Sequence, residues 1–223
     1  MNSNNKTRRF RATHCGAMAF TVIELIVVIV VMAVLVGLIL PSLVPAKART
    51  KRVGCTNYLK QVGLAFRLFE IDHDDTFPMS VSTNKGGSLE YVTTGEAFRH
   101  FQILSNELSS PNALACPTDV RKPAPDFVDL SNSNVSYFVG ILTNSSNPQA
   151  LLGGDRNLMT NGVPAESKIL EVTTNTAVGW TFAMHKNAGN VLLGDGSVQP
   201  FTYARLQQQL ADSGVATNRL LIP

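Results

Sequence analysis

Residues 20–40 read FTVIELIVVIVVMAVLVGLIL, from Phe20 to Leu40. The run holds 21 residues and a single charge, Glu24. As a helix it extends about 31 Å, the thickness of a bilayer core. Val and Ile are modest helix formers in water, but in lipid the backbone has no other partner and helix is forced. No other stretch of the chain is as long and apolar, so one span is predicted and a polytopic protein is excluded. A cleaved secretory signal has an apolar region of about 7–15 residues followed by a small-residue cleavage site. Here the run is longer and ends in Leu40-Pro41-Ser42. Basic residues stand on both sides, with Lys47, Arg49, Lys51 and Arg52 following, so charge leaves the orientation open. Glu24 is the informative residue. A carboxylate within an apolar span costs roughly 2.5–3.5 kcal/mol near the helix centre and less near an end. It either reaches the headgroups, stays protonated, or serves a function.

The charge is unevenly placed. The 223 residues carry +3 overall, with 44% hydrophobic residues and a mean hydropathy of +0.09. Lys6, Arg8, Arg9 and Arg11 put +4 into residues 1–19, which contain no acid, and leave −1 for the rest. A nucleic-acid binder carries its basic face on the folded part, so no nucleic-acid partner is predicted. The apolar content excludes a disordered chain. Three cysteines are too few for a disulfide-built scaffold.

The junction Ala17-Met18-Ala19-Phe20-Thr21-Val22-Ile23-Glu24-Leu25 resembles the cleavage and methylation motif of type IV pilins and type II secretion pseudopilins. In that family a basic leader ends in a small residue, and the mature chain starts with Phe and has Glu at its fifth position. The resemblance implies cleavage between Ala19 and Phe20 by a prepilin peptidase and N-methylation of Phe20. It also implies that Glu24 pairs with the terminal amine of a neighbouring subunit during assembly, and that Pro41 kinks the helix. Ala19 stands where Gly is commoner. Three further segments resemble a branch of pseudopilin-like proteins common in planctomycete- and verrucomicrobia-type bacteria. They are Arg52-Val-Gly-Cys55-Thr-Asn-Tyr-Leu-Lys-Gln-Val-Gly-Leu64, Cys116-Pro-Thr-Asp119 and Gly189-Asn-Val-Leu-Leu-Gly-Asp-Gly-Ser197-Val198.

Past Pro41, apolar residues at Cys55, Tyr58, Leu59, Val62, Phe66 and Phe69 keep helical spacing, which predicts an amphipathic helix over about 46–71. Three carboxylates at Asp72, Asp74 and Asp75 oppose the helix dipole and mark its end. Beyond it, 96–108 and 203–211 read as short helices. Strands are predicted over 135–142, 168–172, 178–184, 190–193 and 197–201. The last two flank the turn Gly194-Asp195-Gly196. Gly153-Gly154-Asp155-Arg156-Asn157 reads as a turn. The predicted organisation is a leader over 1–19, a transmembrane helix over 20–41, an amphipathic continuation over 42–72 and a periplasmic α+β domain over 73–223. The expected class is α+β and pilin-like, with a long N-terminal helix, half transmembrane and half amphipathic, packed on an antiparallel sheet.

Cys15 lies in the leader. Cys55 and Cys116 then form an even pair, as a disulfide or as two buried thiols. There is no G-x-S-x-G, H-E-x-x-H, Walker loop or C-x-x-C, so no enzyme is predicted. No cofactor is certain from the sequence, and Ca2+ is the one candidate. Major pseudopilins bind calcium in a C-terminal loop, and Asp155 and Asp195 are weak candidates for Ca2+. The expected function is a structural pseudopilin of a type II secretion pseudopilus. Its partners would be prepilin peptidase, other pseudopilins or pilins, and the inner-membrane secretion assembly platform. The expected placement is single-pass in the bacterial inner membrane, with a cytoplasmic N-terminus and a periplasmic C-terminal domain. The alternatives are a type IV pilus subunit and a non-polymerising, membrane-anchored periplasmic binding module.

Overall fold

A computed structural model describes residues 21–166 and 168–223, without the side chains of 39–48 and Lys168. Residues 1–20, with the expected leader, Ala19 and Phe20, lie outside the described residues. The chain divides into two compact units, Met1–Ala46 and Lys47–Pro223.

Helix α1, Val22–Asp72, begins in the first unit. Thr21 and Glu24 cap it reciprocally. Glu24 Oε2 accepts the Thr21 backbone N–H at 2.9 Å and its hydroxyl at 2.7 Å. The Glu24 N–H is directed at Thr21 Oγ1 at 3.4 Å. This is the capping box that the spacing T-x-x-E produces. The large apolar residues from Val22 (75% exposed) to Leu38 (70%) are uncovered in the monomer.

In the second unit, α1 buries Cys55, Leu59, Val62, Phe66 and Phe69 along one face and leaves Leu64, Leu68 and Ile71 exposed. Gly63 lets the helix lie close against the sheet, since a Cβ there would sit 2.6 Å from Leu192 Cδ1. After Asp72 the chain breaks from helix through Asp74 and Asp75 at φ 51° and 57°. The His73 ring stacks on Phe69 with centroids 3.7 Å apart.

Beyond α1 the unit is built mainly from strands. These are β1 (Tyr137–Gly140), β2 (Leu151–Asp155), β3 (Leu158–Thr160), β4 (Val163–Pro164), β5 (Lys168–Thr173), β6 (Val178–Trp180), β7 (Gly189–Leu193), β8 (Val198–Phe201) and β9 (Thr217–Ile222). Two short helices accompany them, α2 (Ala97–Gln102) and α3 (Tyr203–Asp212). The strands form an antiparallel six-stranded sheet ordered β5-β9-β1-β2-β7-β8 and a three-stranded sheet ordered β4-β3-β6. Strand alternation splits the interior into two cores. Tyr137, Val139, Leu152, Leu192 and Leu221 join the α1 side chains. Phe138, Leu151, Val191, Leu193, Leu220 and Ile222 face Trp180 and the α3 residues Leu206 and Leu210.

Two expectations are corrected. The α+β, pilin-like class with one sheet on a half-transmembrane helix gives way to two antiparallel sheets with few helical residues beyond α1. Among the described residues no helix is long and apolar enough to cross a membrane. The stretch that prompted the predicted span also carries the ionisable Glu24, which is costly to place in lipid. The single-pass inner-membrane placement is corrected with it.

His100 on α2 is fully buried, and its Nδ1 lies 2.7 Å from Ser88 Oγ. Burial pushes its pKa down to about 4. The unfolded chain, with a histidine pKa of about 6.5, therefore takes the proton first as pH falls. Stability is expected to be fully present above about pH 6.5 and to drop as pH falls toward 4. Denaturant midpoints across this range should show the slope, and His100→Asn should flatten it.

Candidate functional site

The three quoted segments that follow the leader junction converge in the second unit. Cys55 comes from α1, Cys116 and Thr118 from the turn after Leu114, and Asn190 from β7. Asp155 ends β2, and His185 hangs from the loop between β6 and β7. Cys55 and Cys116 form a disulfide with Cα atoms 4.8 Å apart. Thr118 Oγ1 caps it, 3.3 Å from Cys55 Sγ and 3.0 Å from Cys116 Sγ.

His185 Nε2 reaches the same point, 3.6 Å from Cys116 Sγ and 3.4 Å from Thr118 Oγ1. It also lies 3.2 Å from Asp155 Oδ2 and 3.2 Å from Asn190 Nδ2. Asp155 is fully buried, and its Oδ2 accepts the Asn190 backbone N–H at 2.6 Å and Nδ2–H at 2.9 Å. Among the described residues its Oδ1 has no partner, and neither does the buried Tyr137 hydroxyl. Burial, with the Asp155 charge adding to it, holds the Tyr137 hydroxyl pKa well above the usual tyrosine range.

The loop bearing His185 is held in a costly shape. Met184, Lys186 and Asn187 have φ of 63°, 56° and 60°, the left-handed region that side chains disfavour. One side chain pins it. Asn157 Nδ2 donates to the carbonyls of Thr181, Ala183 and Ala188 at 3.3, 2.9 and 3.2 Å. The neighbouring Arg156 pairs with Asp119 through two 2.8 Å bonds. Burial works against the Asp119 charge, but hydrogen bonds from Arg156, Ser136 and the Val120 N–H, with the Arg156 charge, together hold that carboxyl below its ordinary value.

A pocket of about 390 Å³ opens onto the cluster, lined by Arg49, Lys51, Arg52, Thr118, His185 and Lys186 among others. Its rim is cationic, while its floor is the hydroxyl and imidazole beside the disulfide. The chemistry is limited by one detail. Thr118 and Asp155 both meet His185 at Nε2. A proton relay of the Ser-His-Asp kind needs nucleophile and carboxylate on opposite ring nitrogens. The cluster offers sulfur, imidazole and carboxylate atoms rather than an activated hydroxyl.

The expected site residues separate accordingly. Ala19 and Phe20 lie outside the described residues, and Pro41 lies within α1 with its side chain undescribed. Cys55, Cys116 and Asp155 meet in the cluster. Asp195 does not. It sits in the β7–β8 turn with Oδ1 accepting the Ser197 N–H at 2.8 Å. Strand pairing of Leu151 with Leu193 and of Gly154 with Val191 puts Asp155 and Asp195 at opposite ends of the β2–β7 pair, so they do not share an ion. Thr118, Arg156, Asn157, His185 and Asn190 were not singled out from sequence. Thr118 and Asn190 stand inside the quoted segments, and that is the one signal that marked them. No family model, curated protein or solved structure matches the chain.

Proposed function

We propose that the chain is a filament subunit of the pseudopilin kind, cut between Ala19 and Phe20 and assembled through the N-terminal part of α1. The observation that carries this reading is the uncovered run from Val22 to Leu38. A helix apolar on every side needs burial, and copies of the same helix supply it. Glu24 is the one charge in that run. Both of its capping bonds use Oε2. Pairing with the Phe20 amine of a neighbouring copy would offset the desolvation of both charges on assembly. A type IV pilus subunit would use the same contacts.

Glu24→Gln separates capping from charge, because glutamine serves in a capping box and carries no charge. The processed Glu24→Gln chain should keep its helix content by circular dichroism and enter sedimenting filaments at least about tenfold less than the parent, an effect of about 1.4 kcal/mol or more. Equal incorporation would overturn the charge-pairing reading. Intact mass gives the second check. A product starting at methylated Phe20 supports processing, and one starting at Met1 overturns it.

A further inference from the structure

We propose that Cys55, Cys116 and His185 form a zinc site that the disulfide closes and reduction opens. The three ligand atoms lie within 4.8 Å of one another, and all three residues are buried. A tetrahedral zinc with bonds of about 2.3 Å to sulfur and about 2.0 Å to nitrogen sets a sulfur–nitrogen edge of about 3.6 Å. Cys116 Sγ and His185 Nε2 already stand 3.6 Å apart. Reduction frees the two sulfur atoms to part, and Cys55 Sγ must then swing toward His185 Nε2, closing a separation of up to 4.8 Å.

Thr118 Oγ1 faces all three ligand atoms at 3.0–3.4 Å and lines the cationic pocket. The fourth position therefore points to solvent and takes a water held by this hydroxyl. A second observation points to a cation here: Asp155 Oδ1 is buried without a partner among the described residues, and the other oxygen of that carboxylate is 3.2 Å from His185 Nε2. Asp155 meets the same ring nitrogen that would bind the ion, so its contact with Nε2 gives way when zinc enters and its carboxylate is left as negative charge beside the metal. The strained loop pinned by Asn157 fixes the imidazole in place.

The redox step balances. A dithiol reductant passes two electrons and two protons to the pair, breaking the Sγ–Sγ bond, and leaves as its own disulfide. Zn2+ then displaces the two thiol protons to solvent and binds both thiolates. Disulfide and zinc are mutually exclusive states of the same two sulfur atoms.

The test uses the full chain with Cys15→Ser, which removes the third thiol. The disulfide is reduced by a phosphine, which leaves as its oxide. Zn2+ is titrated against a chromophoric chelator, and Co2+ is added in parallel. The reduced chain should bind one Zn2+, the oxidised chain none. Co2+ should give tetrahedral d–d bands and thiolate charge transfer. His185→Ala should weaken Zn2+ binding at least tenfold while its disulfide still forms on oxidation. The near-UV circular dichroism of buried Trp180 reports whether the fold persists. Equal zinc in both redox states, unchanged affinity in His185→Ala, or a Trp180 signal lost on reduction and not restored by zinc would each overturn the proposal.

Discussion

Replacing Cys55 and Cys116 together by serine is expected to destabilise the oxidised protein by about 4 kcal/mol, the chain-entropy value for a closed loop spanning a separation of 61 residues. The bond ties α1 to the turn at Cys116, and between them lie the turns that carry Phe77 and Met79 and helix α2 with Phe101. Without it, the unfolded chain regains the freedom of that whole excursion. The two serine hydroxyls would also be buried beside Thr118, where the sulfur atoms now meet its hydroxyl. Urea midpoints of parent and double variant under oxidising conditions measure the difference. A midpoint within experimental scatter of the parent would show that the loop stays compact in the unfolded chain.

Phe66→Ala is expected to cost about 3–5 kcal/mol, the range for deleting a fully buried aromatic ring. Phe66 has no exposed surface. Its ring meets Phe77 edge-on at 6.3 Å and Phe101 at 6.1 Å. It joins α1 to both segments that the disulfide encloses. A smaller substitution, Phe66→Leu, should recover more than half of the loss, because most of the void is refilled. Thermal or denaturant unfolding of the three proteins gives the ranking.

What the sequence reveals and conceals follows from how far each signal reaches. The helical spacing of Cys55, Leu59, Val62, Phe66 and Phe69 is local, and those residues bury together on α1. The turn Gly194-Asp195-Gly196 is local too, and β7 and β8 pair across it. Residues 203–211 read as helix and lie within α3. Strand β2 was hidden because Gly153 and Gly154 mimic a turn. Their absent side chains serve close packing instead, since a Cβ on Gly154 would strike the Phe138 ring and the Asn190 carbonyl at 2.7–2.8 Å. The segment 96–108 carries apolar spacing, yet only Ala97–Gln102 is α-helical, and the next turn tightens to a 3-10 geometry around Leu104. The transmembrane reading came from the length and apolar content of one run, which do not distinguish lipid from other helices as the cover. Half of the candidate site was legible, as a cysteine pair with two ways to exist. His185 was not, because its partners lie 30 and 69 residues away at Asp155 and Cys116 and no short spacing announces them.

The order of the large sheet bears on how the molecule comes into being. Strand β9 follows every other strand along the chain yet lies between β5 and β1. Until it has been synthesised, β1, β2, β7 and β8 can pair among themselves, while β5 has no neighbour in that sheet. The sheet is thus held open at an interior seam during chain growth, and an unpaired edge of this kind invites pairing with a foreign strand. The seam is narrow and specific, since β9 must match β1 at Val139 and Gly140 on one side and all six residues of β5 on the other. The covalent link has the opposite timing. Both of its cysteines precede β1, so oxidation can fix the α1 half of the fold before a single strand of the sheet exists.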